Sequence, residues 1–295
     1  MPLSTRCFFD FVSSEKPFQV NYLFLYSIFI SFEMLQQILY LLGSLIAIPL
    51  LPILLLSAKR LKQSIPQLPV PSSNIIGRVV GSKGQINMLT MGESSVAGVG
   101  MMNHEEGISG QIAHHLNELI DKTVTWQVLA KNGFTAEKVN QNLVPLIPNM
   151  PFNLIVIGLG GNDTFSLNSP LTFKNNMTKL VQNIKARQPQ AKIVIINMPP
   201  VADFPAFPKS IPKSIKFFLA HLVFLHGTVI QSIPKNFRNV YYMDETIFLS
   251  NWMDKTDNTR AISDFFNDGI HPSALSYSIW GKDIAEFIVN NSIIS

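Results

Sequence analysis

Along residues 76–295, short apolar runs alternate with longer segments in which apolar residues recur every three or four positions. The short runs are typical of strands buried on both faces of a sheet, and the longer segments are typical of amphipathic helices. We therefore predict an α/β fold, a three-layer α/β/α sandwich around a central parallel sheet of about five strands. The predicted strands are 86–91, 124–129, 154–158, 192–197 and 240–243, and the predicted helices are 107–122, 135–144, 172–187, 214–233 and 274–290.

The N-terminal part of the chain is apolar in a different way. Residues 38–56 form an uncharged run, close to the roughly 20 residues that a membrane-spanning helix requires. Pro49 and Pro52 interrupt the run, which membrane helices tolerate. A helix buried in a soluble domain is the alternative, but the length and purity of the run favour an N-terminal transmembrane helix. The run 22–32 is too short to span a bilayer comfortably, and Met34 is an alternative start of the natural protein.

Charges next to this helix predict its orientation. Lys59, Arg60 and Lys62 follow it directly, and basic residues favour the cytoplasmic side of a membrane. We expect an anchor in a bacterial inner membrane with the domain on the cytoplasmic face, a periplasmic or extracellular domain being the alternative. The predicted organisation is an anchor-containing segment (1–58), a linker rich in Pro and Ser (59–75) and one globular domain (76–295).

Composition excludes several classes of function. Hydrophobic residues make up 47% of the chain and charged residues 14%, and the net charge of +4 is not gathered into a long basic run. This pattern gives no support to nucleic-acid binding. Cys7 is the only cysteine, so neither a disulfide framework nor a cysteine-based metal site is expected. His104 is followed by two glutamates but lacks a second histidine at metalloprotease spacing. We therefore predict no metal.

Candidate chemistry lies in three short stretches. Ser94 and Ser95 follow the first predicted strand, Asn162 follows the third in a glycine-rich loop, and Asp268 and His271 precede the last helix. An open α/β sheet gathers such positions at the carboxyl edge of its strands. A turn between the aspartate and the histidine would orient the imidazole, whose other nitrogen could accept a serine proton. The asparagine could donate a hydrogen bond to a developing oxyanion.

Each stretch alone also fits a structural role. A serine after a strand, or Ser273 before the last helix, can be a helix cap. The glycine-rich loop can be a plain turn, and Asp163 in it a cap or turn residue. Only the combination of the three stretches at one sheet edge favours catalysis.

The combination resembles the SGNH hydrolases, also called the GDSL esterase and lipase family. Residues 92–94 (Gly-Glu-Ser) resemble the nucleophile block, with Glu93 where the family usually has aspartate. Residues 160–163 (Gly-Gly-Asn-Asp) and 268–272 (Asp-Gly-Ile-His-Pro) match the asparagine block and the acid-base block, and Gly133 fits the family's lone glycine. The blocks occur in family order over about residues 85–292.

This resemblance implies a flavodoxin-like fold and a role for each block. Ser94 would be the nucleophile, with Ser95 the rival, His271 the general base and acid, and Asp268 its orienting partner. The backbone N–H groups of Ser94 and Gly133 and the side chain of Asn162 would form the oxyanion hole. No cofactor would be required.

The expected function is hydrolysis of carboxylic esters through an acyl-enzyme by a serine esterase or lipase. Lipid or lysophospholipid-like esters are the expected substrates, because of the predicted anchor and because residues 199–215, with the apolar residues that follow, could form a wall for an acyl chain. That stretch could equally be a surface loop ordered by proline. The alternatives are a glycan O-deacetylase, an acyltransferase, or a non-catalytic scaffold on the same fold. The sequence gives no prediction of oligomeric state.

Overall fold

The computed structural model describes residues 34–45, 49, 52, 68–71, 75–201, 204–207, 213–256 and 260–294. Most of the second half of the predicted transmembrane helix, the basic residues after it and much of the predicted linker lie outside these residues.

The described residues form one six-stranded sheet in the order β1-β3-β2-β4-β5-β6. Strands β2 to β6 run parallel to one another, and β1 pairs antiparallel with β3 at one edge. The chain builds the sheet outward from β2, first to β3 on one side and then to β4, β5 and β6 on the other. The strands are β1 (Ile76–Val79), β2 (Gln85–Gly92), β3 (Thr123–Ala130), β4 (Leu154–Gly158), β5 (Lys192–Ile195) and β6 (Val240–Tyr242).

All five predicted strands are present, and their order is that of flavodoxin-like sheets. The prediction of a central parallel sheet of about five strands is confirmed only in part, because the sheet is mixed and has a sixth, antiparallel strand. Strand β1 has no apolar run to reveal it: its four residues alternate between exposed and half-buried. Its antiparallel register, with Ile76 opposite Gln127, places it at an edge, where one face of a strand can remain in solvent.

Helices cover both faces of this sheet. Alternate residues of β2 belong to opposite cores: Ile86 and Met88 to one, Leu89 and Met91 to the other. Helices α2 and α8 pack together on the first face, and α3 and α5 on the second. The helices are α1 (Met34–Leu45), α2 (Ile108–Ile120), α3 (Ala136–Asn142), α4 (Gly161–Phe165), α5 (Pro170–Arg187), α6 (Lys213–Ile230), α7 (Leu249–Asp254) and α8 (Ala274–Asn290).

The predicted helices differ from these mainly at their ends. Thr135 caps α3, since its side chain accepts a hydrogen bond from the Lys138 backbone N–H (3.5 Å). Helix α6 ends at Ile230 rather than 233. Helices α4 and α7 were not predicted, because five or six residues are too few to show a helical period.

The predicted transmembrane helix lies only partly within the described residues. Helix α1 begins at Met34 and is described to Leu45, which is less than a bilayer requires. Among the described residues, only the helical stretch Lys216–Asn236, which begins within α6, is long and apolar enough to cross a membrane. Half of its most apolar window is buried inside the domain. Helices of this kind also form the cores of soluble domains, so a spanning anchor stays a prediction.

Candidate active site

The candidate nucleophile, Ser94, follows the carboxyl end of β2, the strand that lies between β3 and β4 and from which the strand order runs in opposite directions. Strand β2 ends at Gly92, which is paired with Gly158 at the end of β4. A Cβ on Gly92 would lie 2.1 Å from the Gly158 carbonyl oxygen, so only glycine fits this approach. The chain then turns, and Ser94 is half-exposed while Ser95 is buried. The more accessible of the two serines is therefore the one that the family resemblance selects.

Asp268 and His271 form a close pair in the turn before α8. Asp268 Oδ2 lies 2.7 Å from His271 Nδ1, and Asp268 Oδ1 accepts the backbone N–H groups of Ile270 (2.9 Å) and His271 (2.7 Å). The side chains are 1% and 17% exposed, respectively. An ionised carboxylate can only accept, so the proton lies on Nδ1 and the Nε2 atom of a neutral His271 is free to accept another.

The surroundings keep Asp268 ionised. Burial alone would raise the pKa of its carboxyl group, but the side-chain and backbone hydrogen bonds from His271, its charge and the Ile270 N–H outweigh burial and lower that pKa. A carboxylate that stays charged can stabilise the imidazolium that forms when the histidine takes a proton.

Hydrogen bonds join the segment that contains Asp268 and His271 to the loop that follows Ser94. Asn267 Nδ2 donates to the Gly100 carbonyl oxygen (3.3 Å), and the Tyr277 hydroxyl donates to that of Val99 (3.5 Å). Within the described residues no hydrogen bond joins Ser94 to His271. The corresponding bond is often loose in the absence of substrate.

Three hydrogen-bond donors are available for an oxyanion. Asn162 Nδ2 donates one hydrogen to the Phe134 carbonyl oxygen (3.1 Å), which orients the amide and leaves its second N–H free. Gly133 has a φ of +79° and nothing within 4 Å of a Cβ position, so the turn is open on that side. The backbone N–H groups of Ser94 and Gly133 have no acceptor among the described residues. These are the donors that the family resemblance implies.

Glu93 holds the asparagine loop to the nucleophile loop. It is 3% exposed, its Oε1 accepts the Gly161 N–H (2.9 Å) and its Oε2 accepts the Asn162 N–H (2.8 Å). Burial raises the pKa of its carboxyl group to about 7, with a smaller contribution from the charge of Asp163, against the lowering effect of the two N–H groups. Sequence reasoning gave Glu93 no role beyond its place in the nucleophile block. The available signal was an acid directly before the nucleophile.

Asp163 fixes the position of α4 relative to α3. Its Oδ2 accepts the Ala136 N–H (2.9 Å) and its Oδ1 accepts the Asn168 side chain (2.7 Å). Burial raises the pKa of this carboxyl group. It ties α4 to the first turn of α3, close to Gly133, which agrees with the predicted capping or turn role.

An aromatic cluster lies beside the site. Phe204 packs against Phe165, Phe207 and Phe266, with ring centroids 5.7–6.4 Å apart. Phe165 belongs to α4, three residues after the candidate oxyanion asparagine, and Phe266 lies two residues before Asp268. Phe204, Phe207 and Phe266 are buried, so Phe165 is the ring of this cluster that is exposed beside the site.

The histidines of the described residues do not gather with acidic residues into a candidate metal site. Among the described residues, no group of three or more histidine, cysteine, aspartate or glutamate side chains could hold a metal ion. His226, on α6, is fully buried against Phe173 and bonded to the Asn168 carbonyl oxygen (2.8 Å). Burial lowers its pKa to about 4, so it is a neutral partner within the core.

Comparison with known proteins agrees with the resemblance. The sequence model of the GDSL-like lipase/acylhydrolase family matches residues 90–279. Similar solved structures include a lipase/acylhydrolase from Enterococcus faecalis, with 19% identity over 70% of this chain and 96% of that one, and a TM-score of 0.48. A psychrotrophic esterase from Pseudoalteromonas sp. has 17% identity over 70% and 98% (TM-score 0.46). A family two carbohydrate esterase from Clostridium thermocellum has 13% over 71% and 65% (TM-score 0.49). No curated protein sequence matches.

Proposed function

The chain belongs to the GDSL-like lipase/acylhydrolase family and is an ester-bond hydrolase, and from this membership we propose that it is a serine esterase with Ser94 as its nucleophile. The observation that carries the proposal is the Asp268–His271 pair. Its 2.7 Å contact and its buried aspartate prepare the imidazole to accept a proton. A non-catalytic scaffold would not need this arrangement.

In the proposed reaction, His271 Nε2 takes the Ser94 hydroxyl proton as the serine oxygen attacks the ester carbonyl. The resulting oxyanion receives hydrogen bonds from the N–H groups of Ser94 and Gly133 and from Asn162 Nδ2. The imidazolium returns its proton to the leaving alcohol, and the acyl group remains on Ser94. Water, deprotonated by the same nitrogen, then releases the acid. Asp268 stabilises the imidazolium in both halves of the reaction.

For the substrate we propose an ester with an apolar acyl chain. Phe165 of α4 is 43% exposed and is backed by the buried rings of the aromatic cluster, so it offers an aromatic wall beside the candidate site; the buried rings are Phe204, Phe207 and Phe266. Burial of an acyl chain against such rings is favourable by about 0.8 kcal/mol for each methylene group. A glycan carrying only an acetyl group would gain little from this wall.

We also propose that the N-terminal segment, 1–58, anchors the domain, 76–295, in a membrane, and that the domain faces the cytoplasm. The support is the uncharged run 38–56 with basic residues after it. Recovery of the full chain in membranes after carbonate extraction tests the anchor. A phosphatase reporter fused after Ser295 tests the side, because this reporter is active only outside the cytoplasm.

Labelling with a fluorophosphonate probe tests the chemistry. We expect covalent labelling of the wild-type chain at Ser94, none in Ser94→Ala, and labelling in the matched control Ser95→Ala. Hydrolysis of p-nitrophenyl esters of increasing acyl length then tests the substrate class, with medium or long chains preferred over acetate. An unlabelled wild-type chain would contradict the proposed mechanism, and an acetate preference would contradict the acyl-chain assignment alone.

A further inference from the structure

Helix α1 has its polar and apolar faces reversed relative to an ordinary surface helix. Six large apolar side chains point away from the domain and are between 48% and 65% exposed. A helix on a soluble domain normally buries its apolar stripe and exposes its polar side. The exposed residues are Met34, Leu35, Ile38, Leu41, Leu42 and Leu45.

The polar face of α1 is the face that contacts the domain. The Tyr40 hydroxyl donates to the Leu167 carbonyl oxygen (2.8 Å), and Gln37 Nε2 donates to Ser169 Oγ (3.4 Å). Gln36 is buried. A Cβ on Gly43 would come within 3.0 Å of the Phe218 ring, so glycine allows α1 to approach α6 closely.

Polar residues turned toward protein and apolar residues turned outward are the arrangement of helices that face lipid. Residues 46–56 continue the apolar run without a charge, and basic residues follow it. The outer face of α1 is therefore continuous with the stretch of chain best suited to a bilayer.

Helix α6 extends this surface. Phe217 and Phe224 are 73% and 60% exposed, and the His221 ring stacks between theirs at centroid distances of 6.2 Å and 6.5 Å. Phe218, adjacent to this stripe, is the residue that Tyr40 and Gly43 contact. The exposed aromatic rings thus lie beside the docked helix, where partly polar side chains such as His221 suit a membrane interface.

We propose that the outer face of α1 lies in the acyl-chain region of a lipid bilayer while its polar face is docked on the hydrolase domain, so that the domain sits directly on the membrane surface. Tyr40 is bonded to the loop that follows α4, five residues after Asn162. A lipid ester could then reach the candidate site from the bilayer without crossing bulk water. The inference rests on the proposed membrane anchor but not on the esterase mechanism.

Spin-label accessibility tests the lipid contact. Cys7→Ser removes the only native cysteine, and labels are placed singly at Ile38→Cys, Leu41→Cys and Leu45→Cys in the full chain, reconstituted in phosphatidylcholine–phosphatidylglycerol vesicles. The matched control is Leu146→Cys, an exposed apolar residue far from α1 in sequence. We expect oxygen to reach the three α1 labels and a water-soluble nickel chelate to be excluded from them, whereas the nickel chelate should reach the control label.

Each other outcome has a distinct meaning. Nickel access to the α1 labels in protein that floats with the vesicles would overturn the lipid contact while leaving the anchor intact. Protein that does not float would overturn the anchor itself. Labels reached by neither reagent would mean that another protein segment or a second copy covers the face, which also overturns the proposal.

A second measurement tests the docking of the polar face. Tyr40→Phe removes the hydroxyl bonded to Leu167. We expect the Tm of the reconstituted full chain to fall by about 2–4 °C if α1 is docked. The control is Tyr241→Phe, whose hydroxyl has no partner among the described residues. An unchanged Tm in Tyr40→Phe would overturn the docking, whatever the labels report.

Discussion

Replacing Glu93 with glutamine tests whether a buried carboxylate holds the oxyanion loop. Glu93 accepts two backbone N–H groups, from Gly161 and Asn162, inside the domain. Burial raises the pKa of its carboxyl group from 4.5 to about 7. Glutamine keeps the shape of the side chain and one accepting oxygen, but it cannot titrate and it turns an NH₂ group toward one of the two donors.

The raised pKa fixes the direction of the pH effect. Below pH 4.5 both the folded and unfolded states hold the Glu93 proton, and between pH 4.5 and about 7 only the folded state does. The stabilisation from this group is therefore complete below 4.5 and is lost as the pH rises through 7. At about 1.4 kcal/mol per pH unit, the free energy of unfolding should fall by about 3 kcal/mol across this window.

In Glu93→Gln this part of the pH dependence should disappear. Near pH 8 the variant avoids the buried charge but loses a charge-assisted hydrogen bond worth about 1.5–3 kcal/mol, so its stability should be close to that of the wild type. Because the Asn162 loop loses one of its two holding contacts, kcat should fall, but by less than the 10²–10³ that removal of an oxyanion donor typically costs.

Denaturant titrations of the full chain in mild detergent at pH 5 to 8.5 measure this effect, with ester hydrolysis followed in parallel. Glu286→Gln is a suitable control, because that carboxylate is exposed on α8 and forms a 3.9 Å ion pair with Lys282. If the wild type and Glu93→Gln lost stability equally between pH 5 and 7.5, the buried Glu93 charge would not be the cause, and the argument would fail.

Three further substitutions test the proposed roles. Ser94→Ala should abolish esterase activity without changing the Tm, whereas Ser95→Ala should keep much of it; inactivity of the second variant alone would move the nucleophile by one residue. Asn162→Ala should lower kcat by about 10²–10³, and an unchanged kcat would remove Asn162 from the site. Asp268→Asn should lower kcat by about 10⁴ with the fold intact, and a loss of less than tenfold would show that His271 does not depend on this carboxylate.

The elements that position the site could be predicted because their signals are long or chemically distinct. Strands β2 and β4 are largely apolar, and each ends in a glycine with polar residues within the next four positions. Such a transition marks the carboxyl end of a buried strand. The closeness of Asp268 and His271 followed from a spacing of three residues, which a turn closes without help from the rest of the fold.

Three features of the structure could not be predicted from local sequence. Strand β1 has four residues without an apolar run, and its place in the sheet depends on β3, about fifty positions later in the chain. The reversed faces of α1 could not be predicted either, because the sequence of an amphipathic segment does not show whether its polar or its apolar face will dock on the domain. The partners of Glu93 lie 68 and 69 residues away, and nothing local to Glu93 indicates them.

Helix α4 explains why polar contacts matter so much at this site. Its five residues are too few for a stable isolated helix, so its position is set from outside. Glu93 holds its first two N–H groups, Asp163 ties it to α3, and Thr164 Oγ1 lies 3.3 Å from His226 Nδ1 in the core. The Asn162 amide, which we propose as an oxyanion donor, is therefore held by hydrogen bonds from three separate elements. Removal of one of these bonds should shift the Asn162 amide without unfolding the domain, which is why kcat, more than stability, is the sensitive measure of this network.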